Sequence, residues 1–430
     1  MTLSNTSNYF LAGLPPAVLA MLQPQLVAVD PPNAKILYHA GDKINWMPAI
    51  SHRQRDASAH PGVSLPDAGR QQEQRDLIAK RLQQAGLCDV MRFWLRRGVD
   101  GFRVDASAVL IKDALLRDNP SNPDYDETMP PPQRLTPVFS DDRPEAMQCI
   151  EEMRRVIDEF DDRVLAGEVQ GKTDRIGHFY AGANPRLHLP LNFALLDSSW
   201  DAHSLQAAID AYLNVLPDGA WPDWVIGGHD KPRVASRLGQ ARARVLAVLL
   251  LTLKGTPFLF AGDEIGMEQV EIPKQRVQDP FEKLVGGYGL NRDPERSPIR
   301  WDGSPRGGFS TAEPWLPMGD PAERNVARQQ ADTTSILALY RRLITLRRDE
   351  QALSIGEQQP LRSLNDVVAY KRTVGDAELL IGLNMAPDPR RWTWQGNGTL
   401  LLSTHLDRDE DEAAAPLMLR GDEGVIIRLG

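Results

Sequence analysis

The sequence predicts an α/β fold in which short parallel strands alternate with helices, followed by an antiparallel β domain. Three acidic residues, Asp105, Glu168 and Asp230, each stand where a short apolar run meets a loop. In an eight-stranded α/β barrel the ends of such strands converge on one mouth, which is where catalysis takes place. Beyond residue 355 short β-runs dominate the pattern, as is typical of an antiparallel sheet.

Turn residues and apolar spacing predict the individual elements in order from residue 87. Gly98 is a helix-stop signal, so a helix is expected over 87–97. The parallel strands are expected at Gly101–Asp105, Val164–Glu168, Leu187–Phe193, Trp224–Gly228 and Phe258–Ala261. Helices are expected at Ala106–Arg117, Arg143–Phe160, 203–216, 238–253 and Ser335–Arg348. The later strands are expected at Val367–Lys371, Glu378–Leu383, Trp392–Trp394, Leu400–Leu402 and Gly424–Leu429.

Composition excludes several classes of protein. The chain has 430 residues, of which 42% are hydrophobic and 25% charged, enough for one large domain with one or two smaller ones. A net charge of −9 without a basic stripe argues against nucleic acid as a partner. The apolar segment Val245–Phe260 is interrupted by Lys254, Gly255 and Pro257, so a buried helix and strand explain it better than a membrane span.

Cysteine usage bears on the compartment. Cys88 and Cys149 are the only two cysteines, too few for a disulfide framework. They are interpreted as free thiols in a reducing environment. We therefore expect a cytoplasmic protein with no membrane partner.

Residues 1–50 form a unit of a different kind. Apolar residues recur at helical spacing between Leu11 and Leu26, and Ala28–Tyr38 then alternates like a strand. This segment resembles the opening of the cyclic-nucleotide-binding domains of Crp/Fnr-type bacterial regulators, but only their first helix and strand. The glycine-rich cassette that would hold a phosphate does not follow, so nucleotide binding is not expected. Residues 51–86 are predicted to be a linker and a helix.

Six later segments follow one another in a recognisable order. They are GVDGFRVD (98–105), LAGE (165–168), WVIGGHDKPRVASR (224–237), GTPFLFAGDEIGM (255–267), NRDPERSPIRWD (291–302) and FSTAEPWLP (309–317). In this order they resemble the α-amylase family of glycoside hydrolases (family 13), and within it the bacterial α-glucosidases. The resemblance implies a TIM-type (β/α)8 barrel over residues 87–354 and a C-terminal antiparallel β domain over residues 355–430.

The resemblance also predicts that the barrel is partial. Family members begin with three βα units, the third of which carries an Asp-x-x-x-Asn-His motif. No segment before Leu87 resembles these units, and His39, His52 and His60 do not lie in such a motif. We therefore expect only strands four to eight of the barrel. Five parallel strands cannot close a barrel that needs eight, and their open edges could promote self-association.

The resemblance implies a role for each acid in cleavage of a glycosidic bond. Asp105 would be the nucleophile, and Arg103, two positions earlier on the same face of the strand, would lower its pKa. Glu168 would be the acid/base, in a poorly solvated position that raises its pKa. The alternatives are an ordinary ion pair at a strand end and a solvent-facing glutamate.

The third acid lies in a segment that departs from the family pattern. Asp230 would bind sugar hydroxyls and stabilise the oxocarbenium-like transition state, with His229 as a hydrogen-bond donor. The family usually has Asn-His-Asp here, and Gly228 replaces the asparagine. Arg233 matches a family position close to the site. A loop histidine without a catalytic role is the alternative for His229.

The function implied is a retaining α-glucosidase that acts on an oligosaccharide or small α-glucoside. Ala106, directly after the nucleophile, resembles the small residue of members that prefer α-1,4 linkages. The resemblance implies no cofactor, and no metal site is predicted. Two alternatives stay open: a truncated or fused family member that catalyses nothing, and an enzyme that transfers glucosyl groups with the same triad.

Overall fold

The computed structural model describes residues 86–169, 171, 173–182, 184–361, 365–408 and 411–430. The predictions for residues 1–50 and for the linker after them lie outside these residues. The chain divides into two compact units, Met1–Val90 and Met91–Gly430. In the first unit residues 86–90 are helical, and in the second residues 91–96 are helical.

The first strands of the second unit form a parallel α/β array, so the predicted α/β fold is confirmed. The strands are β1 (Gly101–Val104), β2 (Val164–Glu168), β3 (Leu189–Leu191), β4 (Asp223–Val225) and β5 (Thr256–Phe258). β1 pairs with β2 and β2 with β3, while β4 pairs with β5, all in parallel. The backbone N–H of Asn192 donates to the Asp223 carboxylate across 2.9 Å, which brings β4 beside β3. Among the described residues no pairing joins β1 to β5, so a closed barrel is not seen.

Helices separate and follow these strands. The longer ones are Pro144–Ile157, Thr173–Tyr180, Ala202–Asn214, Gln240–Thr252 and Ile336–Asp349, and the shorter ones Ala194–Asp197, Val234–Leu238, Pro280–Leu284, Val326–Ala331 and Gln351–Ser354. Asp201, Asn325 and Ser335 cap three of them by accepting a backbone N–H three residues later. Helix Gln240–Thr252 is buried on nearly all sides, which is why its sequence is apolar without a polar face.

The predicted helix Ala106–Arg117 is wrong. Only a 3-10 turn, Ser107–Val109, forms there, and Ala106 before it has a left-handed φ of 48°. Further on, Asp113 leaves the helical pattern, since its N–H donates to Phe139 O and its carboxylate accepts the backbone N–H of Leu115 at 3.1 Å. Local polar contacts of this kind compete with helix formation. The strand ends also shift: Leu187–Phe193 is reduced to β3, and Phe258–Ala261 is displaced to β5.

The C-terminal part is the predicted antiparallel sheet. Its strands are β6 (Glu357–Pro360), β7 (Val367–Val374), β8 (Ala377–Asn384), β10 (Asn397–Ser403), β11 (Glu412–Ala414) and β13 (Gly424–Leu429), in the spatial order β11-β10-β13-β8-β7-β6. β9 (Arg390–Trp392) and β12 (Leu417–Leu419) pair separately. One face of this sheet builds an apolar core that includes Val367, Leu380, Trp392, Val425 and Ile427. β6, β11 and β12 were not predicted, because they are short and largely polar or irregular in pattern.

The sheet packs on the buried helix through polar as well as apolar contacts. The fully buried Arg372 of β7 donates to the carbonyl of Thr252, the last residue of helix Gln240–Thr252. The hydroxyl of Tyr370 is hydrogen-bonded to the Thr252 hydroxyl. These contacts cross the domain boundary that was predicted near residue 355, and that boundary stays a prediction. None of the helices in the described ranges is long and apolar enough to cross a membrane.

Candidate active site

The register of two neighbouring strands brings Asp105 and Glu168 together. Val104 of β1 lies opposite Gly167 of β2, so the next residues, the two acids, occur side by side at the strand ends. Gly167 lets Leu187 and Ser107 pack closely against β2, because a Cβ there would lie 2.4 Å from Leu187 and 2.6 Å from the Ser107 hydroxyl. The two acids are therefore placed by strand pairing and not by their own side chains.

One guanidinium group joins these two acids. Arg103 donates from Nη1 to Asp105 Oδ1 at 2.7 Å and from Nη2 to Glu168 Oε2 at 2.6 Å. The surroundings of the acids differ, since the side chain of Asp105 is 50% exposed and that of Glu168 only 7%. Two carboxylates thus lie within the span of one side chain, one in contact with solvent and the other enclosed. We call Arg103, Asp105 and Glu168 the strand-end group.

Asp230 is held by a different set of cations. Its Oδ1 accepts from Arg296 Nη2 at 2.5 Å and from Arg292 Nη1 at 3.2 Å. His229 Nε2 lies 3.4 Å from the other carboxylate oxygen, Oδ2. Arg296 also donates from Nε to the carbonyl of His229, so it fixes both the backbone and the acid of this turn. We call His229, Asp230, Arg292 and Arg296 the Asp230 group.

Sequence reasoning did not assign the two arginines of the Asp230 group. They lie 62 and 66 residues beyond Asp230, in the loop after β5. The segment NRDPERSPIRWD that contains them was recognised only as part of the family pattern. Arg292 and Arg296, four residues apart and each next to an acid, were the available signal, but nothing in the sequence paired them with Asp230.

Arg233 belongs to neither the strand-end group nor the Asp230 group. Its side chain is 2% exposed, its Nη1 donates to the carbonyl of Ala261, and its guanidinium lies 4.7 Å from the Phe260 ring centroid. Burial lowers the pKa of Arg233, an effect that the nearby Asp263 carboxylate partly offsets. The residue therefore anchors the loop after β5 in the interior, and its predicted role in sugar binding stays a prediction.

The candidate residues thus fall into the strand-end group, the Asp230 group and the buried Arg233. The strand-end group places two acids and Arg103 at the ends of neighbouring parallel strands, while the Asp230 group joins the loop after β4 to the loop after β5. In the part of the chain that the structure describes, no cluster of three or more His, Cys, Asp or Glu side chains could hold a metal ion.

Comparison with known proteins identifies the family. A model of the α-amylase catalytic domain matches residues 69–356, which is more than half of the chain. The chain belongs to the α-amylase family. The resemblance seen in the sequence motifs is thereby confirmed at the level of the family.

Relatives with established names include α-glucosidases and glucosyl-transfer enzymes. The probable α-glucosidase of Rhizobium meliloti is 31% identical over 71% of this chain, and the chain spans 58% of that relative's length. The crystal structure of the α-glucosyl transfer enzyme XgtA gives a TM-score of 0.72 at 28% identity, covering 82% of this chain and 68% of XgtA. The trehalulose synthase MutB from Pseudomonas mesoacidophila gives a TM-score of 0.70 at 26% identity, covering 82% of this chain and 69% of MutB. MutB structures contain bound glucose or isomaltulose, so homologues bind small sugars.

Proposed function

We propose that the chain carries the catalytic groups of a retaining α-glucosidase that acts on short α-glucosides. The observation that supports this most directly is the Arg103 guanidinium between Asp105 and Glu168 at neighbouring strand ends. Retaining glycosidases need two carboxyl groups about 5–5.5 Å apart, one as nucleophile and one as proton donor. Two carboxylates held by one guanidinium suit that spacing.

The surroundings of the two acids support different roles for them. Asp105 would attack the anomeric carbon, since it stands at the open end of β1 with half of its side chain exposed. Glu168 is enclosed, as suits a group that must first give a proton to the departing oxygen and later take one from water. In this mechanism the bond from sugar to leaving oxygen breaks as the bond to Asp105 forms. Water then releases the sugar with its anomeric configuration retained.

Asp230 would act on the same sugar without forming a bond to it. Its carboxylate would stabilise the positive charge that develops on the ring oxygen and anomeric carbon. Arg292 and Arg296 hold one of its oxygens, and His229 lies beside the other. The proposed substrate is an oligosaccharide or small α-glucoside, with an α-1,4 preference inferred from Ala106. We place the reaction in the cytoplasm because two cysteines, Cys88 and Cys149, are too few for a disulfide framework.

Hydrolysis of maltose and of a chromogenic α-glucoside by the purified, monodisperse chain tests the proposal. We expect turnover in the wild type and its loss in Asp105→Asn, a change that keeps size and one acceptor oxygen but removes the nucleophile. A suitable control is Asp118→Asn, on a loop outside the strand ends. Absence of turnover from a folded wild-type chain would contradict the proposal.

That second result would favour the alternative of a family member whose catalytic residues are present without a working site. The observation behind it is the parallel array whose described strands β1 and β5 do not pair. A third alternative, glucosyl transfer, is supported by the similarity to XgtA. Product analysis with added acceptor sugar separates it from hydrolysis, because transfer gives a longer saccharide in place of free glucose.

A further inference from the structure

We propose that Asp279 is a positioning residue that orients Arg292 toward Asp230. The inference rests on the proposed function, since it concerns how the third acid of that site is held. Asp279 precedes helix Pro280–Leu284, and its side chain is fully buried.

The Asp279 carboxylate accepts four hydrogen bonds, three of them from Arg292. Its Oδ2 accepts from Arg292 Nε at 2.8 Å and from the Arg292 backbone N–H at 2.9 Å. Its Oδ1 accepts from Arg292 Nη2 at 2.7 Å and from the Phe281 backbone N–H at 3.1 Å. This two-pronged contact to Nε and Nη2 fixes the plane of the guanidinium, which a single contact would leave free to rotate.

The contact with Asp279 leaves one side-chain nitrogen of Arg292, Nη1, to contact Asp230. With Nε and Nη2 bound to Asp279, Nη1 points to Asp230 Oδ1 at 3.2 Å. Asp279 is itself fixed by its backbone, because the N–H groups of Gln278 and Asp279 both donate to Asp293 Oδ2, at 2.5 and 3.0 Å. A continuous series of contacts therefore runs from Asp293 through Asp279 and Arg292 to the catalytic acid.

The charges of this series matter for the reaction as well as its geometry. Asp230 faces two guanidinium groups, and two uncompensated cations would oppose the positive charge of an oxocarbenium-like transition state. Asp279 balances the charge of Arg292, so that Arg292 can donate a hydrogen bond without making the site more positive. Arg292 in turn holds the pKa of Asp279 low, at about 2, so this carboxylate is ionised at neutral pH.

A purely structural ion pair would have different consequences. Loss of a purely structural ion pair lowers the free energy of unfolding and has no specific effect on kcat. Glu423 provides the matched control, because it is also fully buried and its carboxylate accepts from Arg420 and Arg408 in the C-terminal sheet. Glu423→Gln should lower stability and leave kcat unchanged.

The experiment compares Asp279→Asn, Arg292→Met, their double variant and Glu423→Gln in the full chain. We expect Asp279→Asn to lower kcat by about 10²-fold with a much smaller change in KM, because misorientation near reacting atoms costs rate more than binding. The double variant should be no slower than Arg292→Met alone, since Asp279 acts through Arg292. Additive losses in the double variant, or a kcat unchanged in Asp279→Asn, would overturn the proposal.

Nitrogen NMR of the arginine side chains gives a readout that does not depend on turnover. In the wild type the Arg292 Nε–H should exchange slowly with water and its two Nη groups should give separate signals. Both features should disappear in Asp279→Asn and persist in Glu423→Gln. If they persist in Asp279→Asn, Asp279 does not orient Arg292. If the wild-type chain shows no turnover and the two NMR features still disappear in Asp279→Asn, the proposed function is contradicted while the positioning role of Asp279 is supported.

Discussion

Asp279 and Asp223 are both fully buried aspartates, and their pKa values shift in opposite directions. Asp279, in the loop after β5, is contacted by the Arg292 guanidinium, and its pKa falls to about 2 despite burial. Asp223, at the start of β4, is desolvated by its surroundings, and its pKa rises to about 8. Its Oδ1 accepts the N–H of Asn192, while its Oδ2 has no hydrogen-bond partner among the described residues.

The difference separates two regions of the molecule. In the candidate active site and the loop beside it, Asp105, Glu168, Asp230 and Asp279 each contact at least one arginine. Around Asp223, at the start of β4, the neighbouring polar groups are the hydroxyls of Tyr180 and Tyr212. Of the two aspartates, the one that a guanidinium contacts has a lowered pKa, and the one that is desolvated without such a contact has a raised pKa. The Arg292 contact of Asp279 and the stronger desolvation of Asp223 together account for the opposite pKa shifts.

Replacing Asp223 should give the largest change in the free energy of unfolding, because its burial is the main cause of its raised pKa. For Asp223 the folded pKa is raised above the unfolded value, so its stabilising contribution is complete below about pH 4 and is lost as the pH rises toward 8. Asp223→Asn should raise the free energy of unfolding by about 3–5 kcal/mol at pH 8 and by little at pH 4. Urea denaturation at the two pH values measures this difference.

The control for that prediction is Asp210→Asn, a change at a helix-surface aspartate that accepts from Gln206. It should leave the pH dependence as in the wild type. An Asp223→Asn chain that loses stability equally at both pH values would show that the charge of Asp223 is compensated in the folded state, and the contrast with Asp279 would fail.

Changing the cation of the strand-end group should have the next largest effect. Arg103→Lys keeps the charge, but one ammonium group cannot reproduce the two contacts to Asp105 and Glu168. Loss of one charge-assisted hydrogen bond costs about 1.5–3 kcal/mol, so kcat/KM should fall by about 10- to 100-fold. Steady-state kinetics on a chromogenic α-glucoside measure it.

Arg163→Lys is the comparison for this prediction, because Arg163 also lies beside β2 and its nearest acid, Asp100, is 3.5 Å away and exposed. It should change kcat/KM little. If Arg103→Lys retained full activity, the shared guanidinium would not be required for the two acids to work, and the argument from Arg103 would be lost.

The smallest effect is expected at Gly228 in the Asp230 turn. A Cβ at this position would meet nothing within 4 Å, and Gly228 is not among the glycines with positive φ. Gly228→Asn should therefore raise the free energy of unfolding by about 0.4–1 kcal/mol, because asparagine restricts the unfolded chain. Thermal denaturation measures the change.

Gly101→Ala is the contrasting substitution, since a Cβ there would lie 2.0 Å from the carbonyl oxygen of Val164 and force β1 away from β2. It should destabilise the chain clearly. A loss of stability in Gly228→Asn as large as in Gly101→Ala would mean that the turn at Asp230 has no room for a side chain.

Much of the fold could be predicted because its signals are local. The run VLAGE coincides with strand β2, and the predicted strand Gly424–Leu429 coincides with β13. The prediction failed at 106–117, where an apolar helical pattern is overridden by contacts of Asp113 with the backbone of Phe139 and of Leu115. The first contact joins residues far apart in the chain, and the second is a local contact that competes with the helix. Neither can be predicted from the spacing of apolar residues.

The candidate site was predictable in part for the same reason. Asp105, Glu168 and Asp230 could be found because each follows a short apolar strand, and parallel strands end at one edge. Arg103 could be found because residues two apart on a strand share a face. Arg233 was expected near the sugar, which stays a prediction; its side chain packs against Phe260, since its segment turns into the interior before helix Val234–Leu238.

The sequence by itself determined the family and the α/β order of the elements, because strand and helix periodicities and the motifs at strand ends are local properties of the chain. The tertiary structure alone decided which cations hold Asp230. Arg292 and Arg296 reach Asp230 from a loop more than sixty residues later, and Asp279 reaches Arg292 across a turn. It also decided the opposite pKa shifts of two aspartates that the sequence does not distinguish, since a carboxyl group responds to the charges and solvent that folding brings around it.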